Sequence, residues 1–174
     1  ARMSPYRGEL LDRLMQESDL VWFGCGERQI SLSFAQDLEL FHPAEPAVSA
    51  SLEALIPHAR GRYSLLEIAE QARLDSAEAA ERLWDEAWKG NVTSDTFGPV
   101  RRGVLTGFTA WPVSDEGRLP SRRSGFNRWK VTRPLEGAWR RIDAASAPKD
   151  PLAGEELMKD RVRLLFRRYG ILFR

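Results

Sequence analysis

An α+β fold is predicted, on three observations. Apolar residues recur at helical spacing in several short stretches, two segments read as β-hairpins with a period of two, and the middle of the chain runs helix, helix, helix, hairpin. The first helix spans residues 5–17: Ser4 caps it, Pro5 sits at its first position, and Leu10, Leu11, Leu14 and Met15 line one face. Leu20-Val21-Trp22-Phe23 then reads as a strand, Gly24-Cys25-Gly26 as a turn, and Gln29 to Phe34 as an alternating return strand. Residues 43–50, with Pro43 and Pro46, read as a connector.

Residues 51–108 are the most legible stretch. Leu52, Leu55 and Ile56 begin a helix that Gly61 breaks. Ser64 caps a second helix from Leu65 to Arg73, with Glu67 completing a capping box. Asp75 or Ser76 caps a third over 76–89, whose apolar face is Ala80, Leu83, Trp84, Ala87 and Trp88; Gly90 ends it. Asn91 to Ser94 is a strand, Thr96 to Pro99 a turn and Val104 to Phe108 the returning strand. This order predicts a winged helix, a helix-turn-helix with a β-hairpin wing. Around it lie a β-rich segment and flanking helices. The expected divisions are 1–42, a helix and hairpin forming the tail of a preceding unit; 51–108, the winged helix; 109–150, a basic and aromatic β-rich segment; and 154–174, the start of a following helical unit. In the third, Arg128 to Val131 and Ala138 to Ile142 are strand-like and residues 114–124 form a polar loop. Pro148, Pro151 and Gly154 read as a linker before a helix over 154–168 that Gly170 caps.

The length of 174 residues suits one domain or two small ones, and 43% hydrophobic with 29% charged residues suits a globular protein. No apolar run is long enough for a membrane span, and no signal region opens the chain. The single cysteine, Cys25, excludes an internal disulfide and suits a reducing cytoplasm. A small buried filler beside a turn is its expected role. The opening Ala1 and the apolar, basic ending at Arg174 read as the ends of an excised fragment.

Charge is unevenly spread. Residues 1–100 hold 9 Lys and Arg against 17 Asp and Glu, whereas residues 101–141 hold 10 against 3. A local excess of +7 points to a polyanion partner, with a solvated loop paired to the acidic half as the alternative. Arg101 and Arg102 fall at the predicted wing tip, where arginine reaches the backbone or minor groove. Arg118, Arg122, Arg123, Arg128 and Lys130 surround Phe126 and Trp129, and guanidinium groups beside aromatic faces suit unpaired bases. Trp129 and Trp139 serve equally well as sheet core. The third helix carries Asp75, Glu78, Glu81, Asp85 and Glu86, a solvated acidic face that repels phosphate and argues against major-groove reading.

Catalytic signatures are missing. There is no G-x-x-x-x-G-K-S/T loop for ATP phosphates, no G-x-S-x-G elbow, and two histidines with one cysteine do not make a zinc site. No catalytic residue and no cofactor is assigned to the stretch itself.

Three phrases, in this order, carry a family resemblance. Tyr6 to Leu14 with Val21-Trp22-Phe23-Gly24 resembles the Y-x-x-x-x-L-D-x-L and V-W-x-G passage of Lhr-type (large helicase-related) helicases. Gly137-Ala138-Trp139 resembles their G-x-W, and Arg161 to Arg174 resembles their segment ending R-Y-G-I/V-L/V-x-R. The resemblance implies a bacterial superfamily 2 helicase that moves 3′ to 5′ on DNA in repair. Its ATP and magnesium would be held by motor domains outside these residues, and this stretch would be an accessory region following them, in the C-terminal extension of larger members as one placement. The implied partners are single-stranded or junction DNA, an RNA:DNA hybrid as an alternative, and the motor domains of the same chain; a homo-oligomeric structural module is a second reading. The extension is similar to winged-helix DNA glycosylases, but none of Gln16, Gln29, Gln36 and Gln71 has Gln or Asp two positions on, so no glycosylase residue is assigned.

Overall fold

The computed structural model describes residues 7–41, 50–108, 137–142 and 150–170. The described elements are α1 (Gly8–Glu17), β1 (Leu20–Gly26), β2 (Gln29–Phe34), a 3₁₀ turn (Ala35–Leu40), α2 (Ala50–Leu55), α3 (Leu65–Ala72), α4 (Ser76–Trp88), β3 (Val92–Ser94), α5 (Gly98–Thr106), β4 (Trp139–Arg141) and α6 (Pro151–Tyr169). Helices with small antiparallel sheets make an α+β fold, as the sequence predicts. No described helix is long and apolar enough to cross a membrane.

The helix starts follow local chemistry. The Ser64 hydroxyl accepts from the Glu67 amide at 3.3 Å while the Glu67 carboxylate accepts from the Ser64 amide at 2.7 Å, which completes the capping box of α3. Asp75 accepts from the amides of Ala77 and Glu78, both at 2.8 Å, and so fixes the start of α4. Helix α1 begins later than expected: Arg7 is extended at its N-cap, and Ser4 and Pro5 lie outside the described residues.

Between α2 and α3, Tyr63 forms a single bridge to Trp139, its amide donating at 2.9 Å and its carbonyl accepting at 2.7 Å. On its other edge β4 pairs antiparallel with β3, Ser94 opposite Trp139 and Val92 opposite Arg141. Tyr63, β4 and β3 thus lie side by side, and Trp139 sits at their centre.

That arrangement corrects the expected hairpin at 92–108. The partner of β3 is β4, and the expected return strand is helical. Pro99 stands in the first turn of α5, where its fixed φ suits a helix and its missing N–H goes unneeded, and Gly107 closes the helix at φ 69°. The stretch 95–138 therefore joins two neighbouring strands as one long connection.

The β1–β2 hairpin is present, but its turn is Glu27-Arg28, with Arg28 at φ 55°, rather than Gly24 to Gly26. Pairing jumps from Gly24–Ile30 to Gly26–Gln29, a bulge that leaves Cys25 without a partner on β2 and exposed, not buried as expected. Strand β1 is buried on both faces. Trp22 enters the main core with Trp84 and Trp139, whereas Phe23 packs with Leu38 and Ile142. Phe34 is accordingly exposed and Ser33 buried, the reverse of simple alternation.

Gly24 is needed where it stands. A Cβ there would lie 1.9 Å from the Ala87 carbonyl oxygen and 2.7 Å from the Trp88 Cα, so β1 rests directly on the end of α4. The Thr93 hydroxyl donates to the Trp22 carbonyl at 2.6 Å and ties β1 to β3. Finally, Pro151 and Gly154, expected in a linker, lie inside α6, which Asp150 caps and Gly170 ends at φ 75°.

Candidate nucleic-acid interface

The predicted contact residues fall into two groups. Arg118, Arg122, Arg123, Phe126, Arg128, Trp129 and Lys130 lie outside the described residues. Both anchors of the connection that carries them are described: Ser94 and Trp139 are paired, the Asp95 amide donates to the Ala138 carbonyl at 3.1 Å, and the Ala138 amide donates to the Asp95 carboxylate at 2.9 Å. Residues 95–138 therefore leave and rejoin the sheet at one point.

Arg101 and Arg102 are not at a strand turn but on α5. The Arg101 guanidinium pairs with the Asp12 carboxylate of α1, donates to the Gly8 carbonyl at 3.3 Å, and lies 5.8 Å from the centre of the Phe97 ring. Asp12 also accepts from the Phe97 amide at 2.8 Å. Arg101 thus fastens α5 to α1, and its half-buried guanidinium is engaged inside the fold. Arg102 is half-buried on the same helix. Sequence reasoning missed Asp12 because its partner lies 89 positions away.

Trp139, left open between core and base stacking, is fully buried. Its ring meets Trp22 edge-on at 5.8 Å and Trp84 edge-on at 5.5 Å. Trp84 stacks on Trp88 at 5.0 Å, and Phe108 meets both edge-on at 4.9 Å. Phe108, just after α5, therefore packs against the core, and a Cβ on Gly103 would lie 2.2 Å from its ring.

The outer face of α4 keeps Glu81 and Asp85 exposed, and pairs Glu78 with Arg82 at 2.6 Å. Glu86 departs from the expected solvated row. It is 1% exposed and accepts from Asn91 at 2.6 Å and from Lys89 at 2.9 Å. A buried carboxylate held by an amide and an ammonium is a structural clasp between the end of α4 and β3. Helical periodicity alone could not show it, because its burial depends on β3 folding back. Among the described residues, Glu67 is the one side chain with a clear pKa displacement: the Ser64 amide, then the Ser64 hydroxyl, hold its carboxyl below its ordinary value.

No family model matches the chain. Two curated proteins are similar over nearly all of it. The Lhr helicase/probable uracil glycosylase of Mycolicibacterium smegmatis is 26% identical over 190 residues, covering 98% of the chain and 12% of that protein. The Lhr helicase/uracil glycosylase of Escherichia coli is 26% identical over 208 residues, covering the whole chain and 12% of that protein. The chain spans about an eighth of the length of these relatives. The similarity supports a relationship to Lhr-type proteins.

Proposed function

We propose that the chain is a winged-helix nucleic-acid-binding module of a larger bacterial ATP-dependent 3′–5′ DNA helicase acting in repair, not catalytic by itself, and that it grips single-stranded or junction DNA through residues 95–138. The observation that carries this is a coincidence of topology and charge. The order α2, Tyr63, α3, α4, β3, connection, β4 supports a winged-helix reading, in which the connection would be the wing. That connection holds eight Lys and Arg against four Asp and Glu, including the whole Arg118 to Lys130 cluster. Helix α4, in the position of a recognition helix, is acidic outside and turns its aromatic face into the core, so the wing makes the contact. The Lhr relatives supply the helicase context. ATP and magnesium belong to motor domains elsewhere in such a protein, and an RNA:DNA hybrid is the alternative strand partner.

Fluorescence anisotropy with a labelled single strand tests the reading. The chain binds at low salt and weakens as salt rises. Replacing Arg122, Arg123, Arg128 and Lys130 together with Ala reduces the salt slope by up to about 0.7 for each phosphate contact removed. Absence of binding at low salt would overturn it.

A second reading, a structural or oligomerisation module, is favoured by α6, none of whose residues is buried and which exposes Met158, Val162, Phe166 and Tyr169. Light scattering separates the two: an oligomer that forms with concentration and has no DNA affinity supports the second. The uracil glycosylase in the relatives' names assigns no residue here.

A further inference from the structure

An open cleft of about 720 Å³ lies where the end of α4, the β1–β2 turn and α6 meet. Its volume is in the range of small-molecule sites. Phe41 and Trp88 supply its aromatic surface; Glu27, Asp85, Lys89 and Arg161 supply its charges. Two carboxylates face two cations, so the lining is neutral overall and is not a phosphate trap.

The groups are unequally engaged. Lys89 is already tied to Glu86 at 2.9 Å, and the Arg161 guanidinium lies 5.8 Å from the Phe41 ring centre. Arg168 approaches the same ring at 5.1 Å, so Phe41 is occupied by guanidinium groups. Trp88 is different. It is half-buried and lines the cleft, and its ring stacks on Trp84 with planes 20° apart and meets Phe108 edge-on. A flat ring placed there would extend a stack that begins in the core. The side-chain carboxylates of Glu27 and Asp85 accept from no donor among the described residues, the Asp85 backbone carbonyl alone accepting from the Lys89 amide. Two free acceptors beside a stacking surface fit a flat ring that bears N–H donors on its edge.

We propose that this cleft takes an unstacked nucleobase carrying an exocyclic amino group, cytosine being the simplest, with the base on Trp88 and its amino group donating to Asp85 or Glu27. The proposal rests on the nucleic-acid reading above and adds a base preference to it. Carboxylates accept from the cytosine amino group, and thymine presents a carbonyl at that position, which a carboxylate repels. Stacking on an aromatic face is tolerant of sequence, so the discrimination comes from the carboxylates.

The test is anisotropy of the full 174-residue chain with labelled oligo-dC and oligo-dT of equal length at neutral pH. Oligo-dC is expected to bind about fivefold tighter or more, the lower end of what a specific base contact discriminates. Asp85→Asn combined with Glu27→Gln should bring the two within about twofold by weakening oligo-dC and not oligo-dT; both sites are exposed, and an unchanged melting temperature confirms that the variant is folded. Trp88→Phe should weaken both strands together. Equal affinity of the unaltered chain for oligo-dC and oligo-dT overturns the cleft while leaving the wing reading intact, as does a preference that survives the double substitution. Failure of both oligonucleotides to bind at low salt overturns the wing reading and the cleft with it.

Discussion

Helices α4 and α6 begin alike, each with an aspartate cap that accepts from the first turn, two amides for Asp75 and one for Asp150, yet they end as opposites. Helix α4 has 13 residues and buries six; α6 has 19 and buries none. Length and capping do not distinguish them, so what makes α4 part of a core is what lies against it. Trp22 of β1, Trp139 of β4 and Phe108 after α5 all reach Trp84 from outside the helix. Among the described residues, the polar contacts of helix α6 with other elements include Arg161 and Arg168 over Phe41 and Arg168 donating to the Leu32 carbonyl at 3.3 Å and the Ser33 hydroxyl at 3.5 Å. Exposed contacts of that kind contribute little, whereas burial of aromatic rings contributes several kcal/mol. The difference teaches that the stable unit is organised around the three tryptophans, and that α6 holds its shape mainly by its own hydrogen bonds.

The largest effect should come from removing that centre. Trp22 is fully buried, packs on Trp84 and Trp139, and donates from Nε1 to the Thr96 carbonyl at 3.1 Å. Trp22→Ala is expected to cost about 3–5 kcal/mol in denaturant unfolding. A loss below about 1 kcal/mol would mean that β1 is not part of the α4 core. Next comes Gly24→Ala, which puts a methyl group against the Ala87 carbonyl and must push β1 off α4. About 1–3 kcal/mol is expected, with a fall in protection of the β1 amides in hydrogen exchange. A neutral result would show that the hairpin adjusts freely.

How legible all this was divides along the same line. The capping box of α3, the span of α4 with its Asp75 cap and the hairpin at 20–34 could be read because each is set by residues a few positions apart. Ser64 with Glu67 and Asp75 with Ala77 are local bonds, and a continuous Leu-Val-Trp-Phe run announces a strand. The partner of β3 could not be read. Trp139 lies 45 residues beyond Ser94, and the intervening Val100 to Phe108 is apolar enough to imitate the missing strand. Pro99 was the signal against it, since a proline in a first turn favours a helix. The role of Arg101 was equally hidden: a basic pair looks the same in sequence whether it meets phosphate or Asp12. For the candidate site, its charge and its place in the chain were legible, but its position between two paired strands depended on a long-range pairing.

A smaller effect separates local from tertiary support within the core itself. Ser64→Ala removes the cap of α3 and should cost about 0.5–2 kcal/mol. The partner half of the box gives this a pH signature. Glu67 has its carboxyl held below the ordinary 4.5 by the Ser64 amide and hydroxyl, so its contribution is full above that value and is lost as pH falls through the lowered folded value. The melting temperature of Glu67→Gln should therefore lie below that of the unaltered chain at neutral pH, and the gap should close in acid. A gap that persists unchanged at low pH would show that the carboxylate charge is not what the box uses.

The smallest effect is expected in α6. Phe166 is 58% exposed and lies on the same face as Val162 and Tyr169, so Phe166→Ala removes little buried surface from the single chain. The change in stability should stay within about 0.5 kcal/mol, and helix content should hold, because Asp150, Pro151 and Gly170 still define its ends. The informative control is concentration. If the melting temperature of the unaltered chain rises with protein concentration and Phe166→Ala removes that rise, the apolar face of α6 is covered by a second molecule, and α6 resembles α4 after all, with its packing partner supplied from outside. If neither depends on concentration, the contrast between the two helices is a property of the single chain.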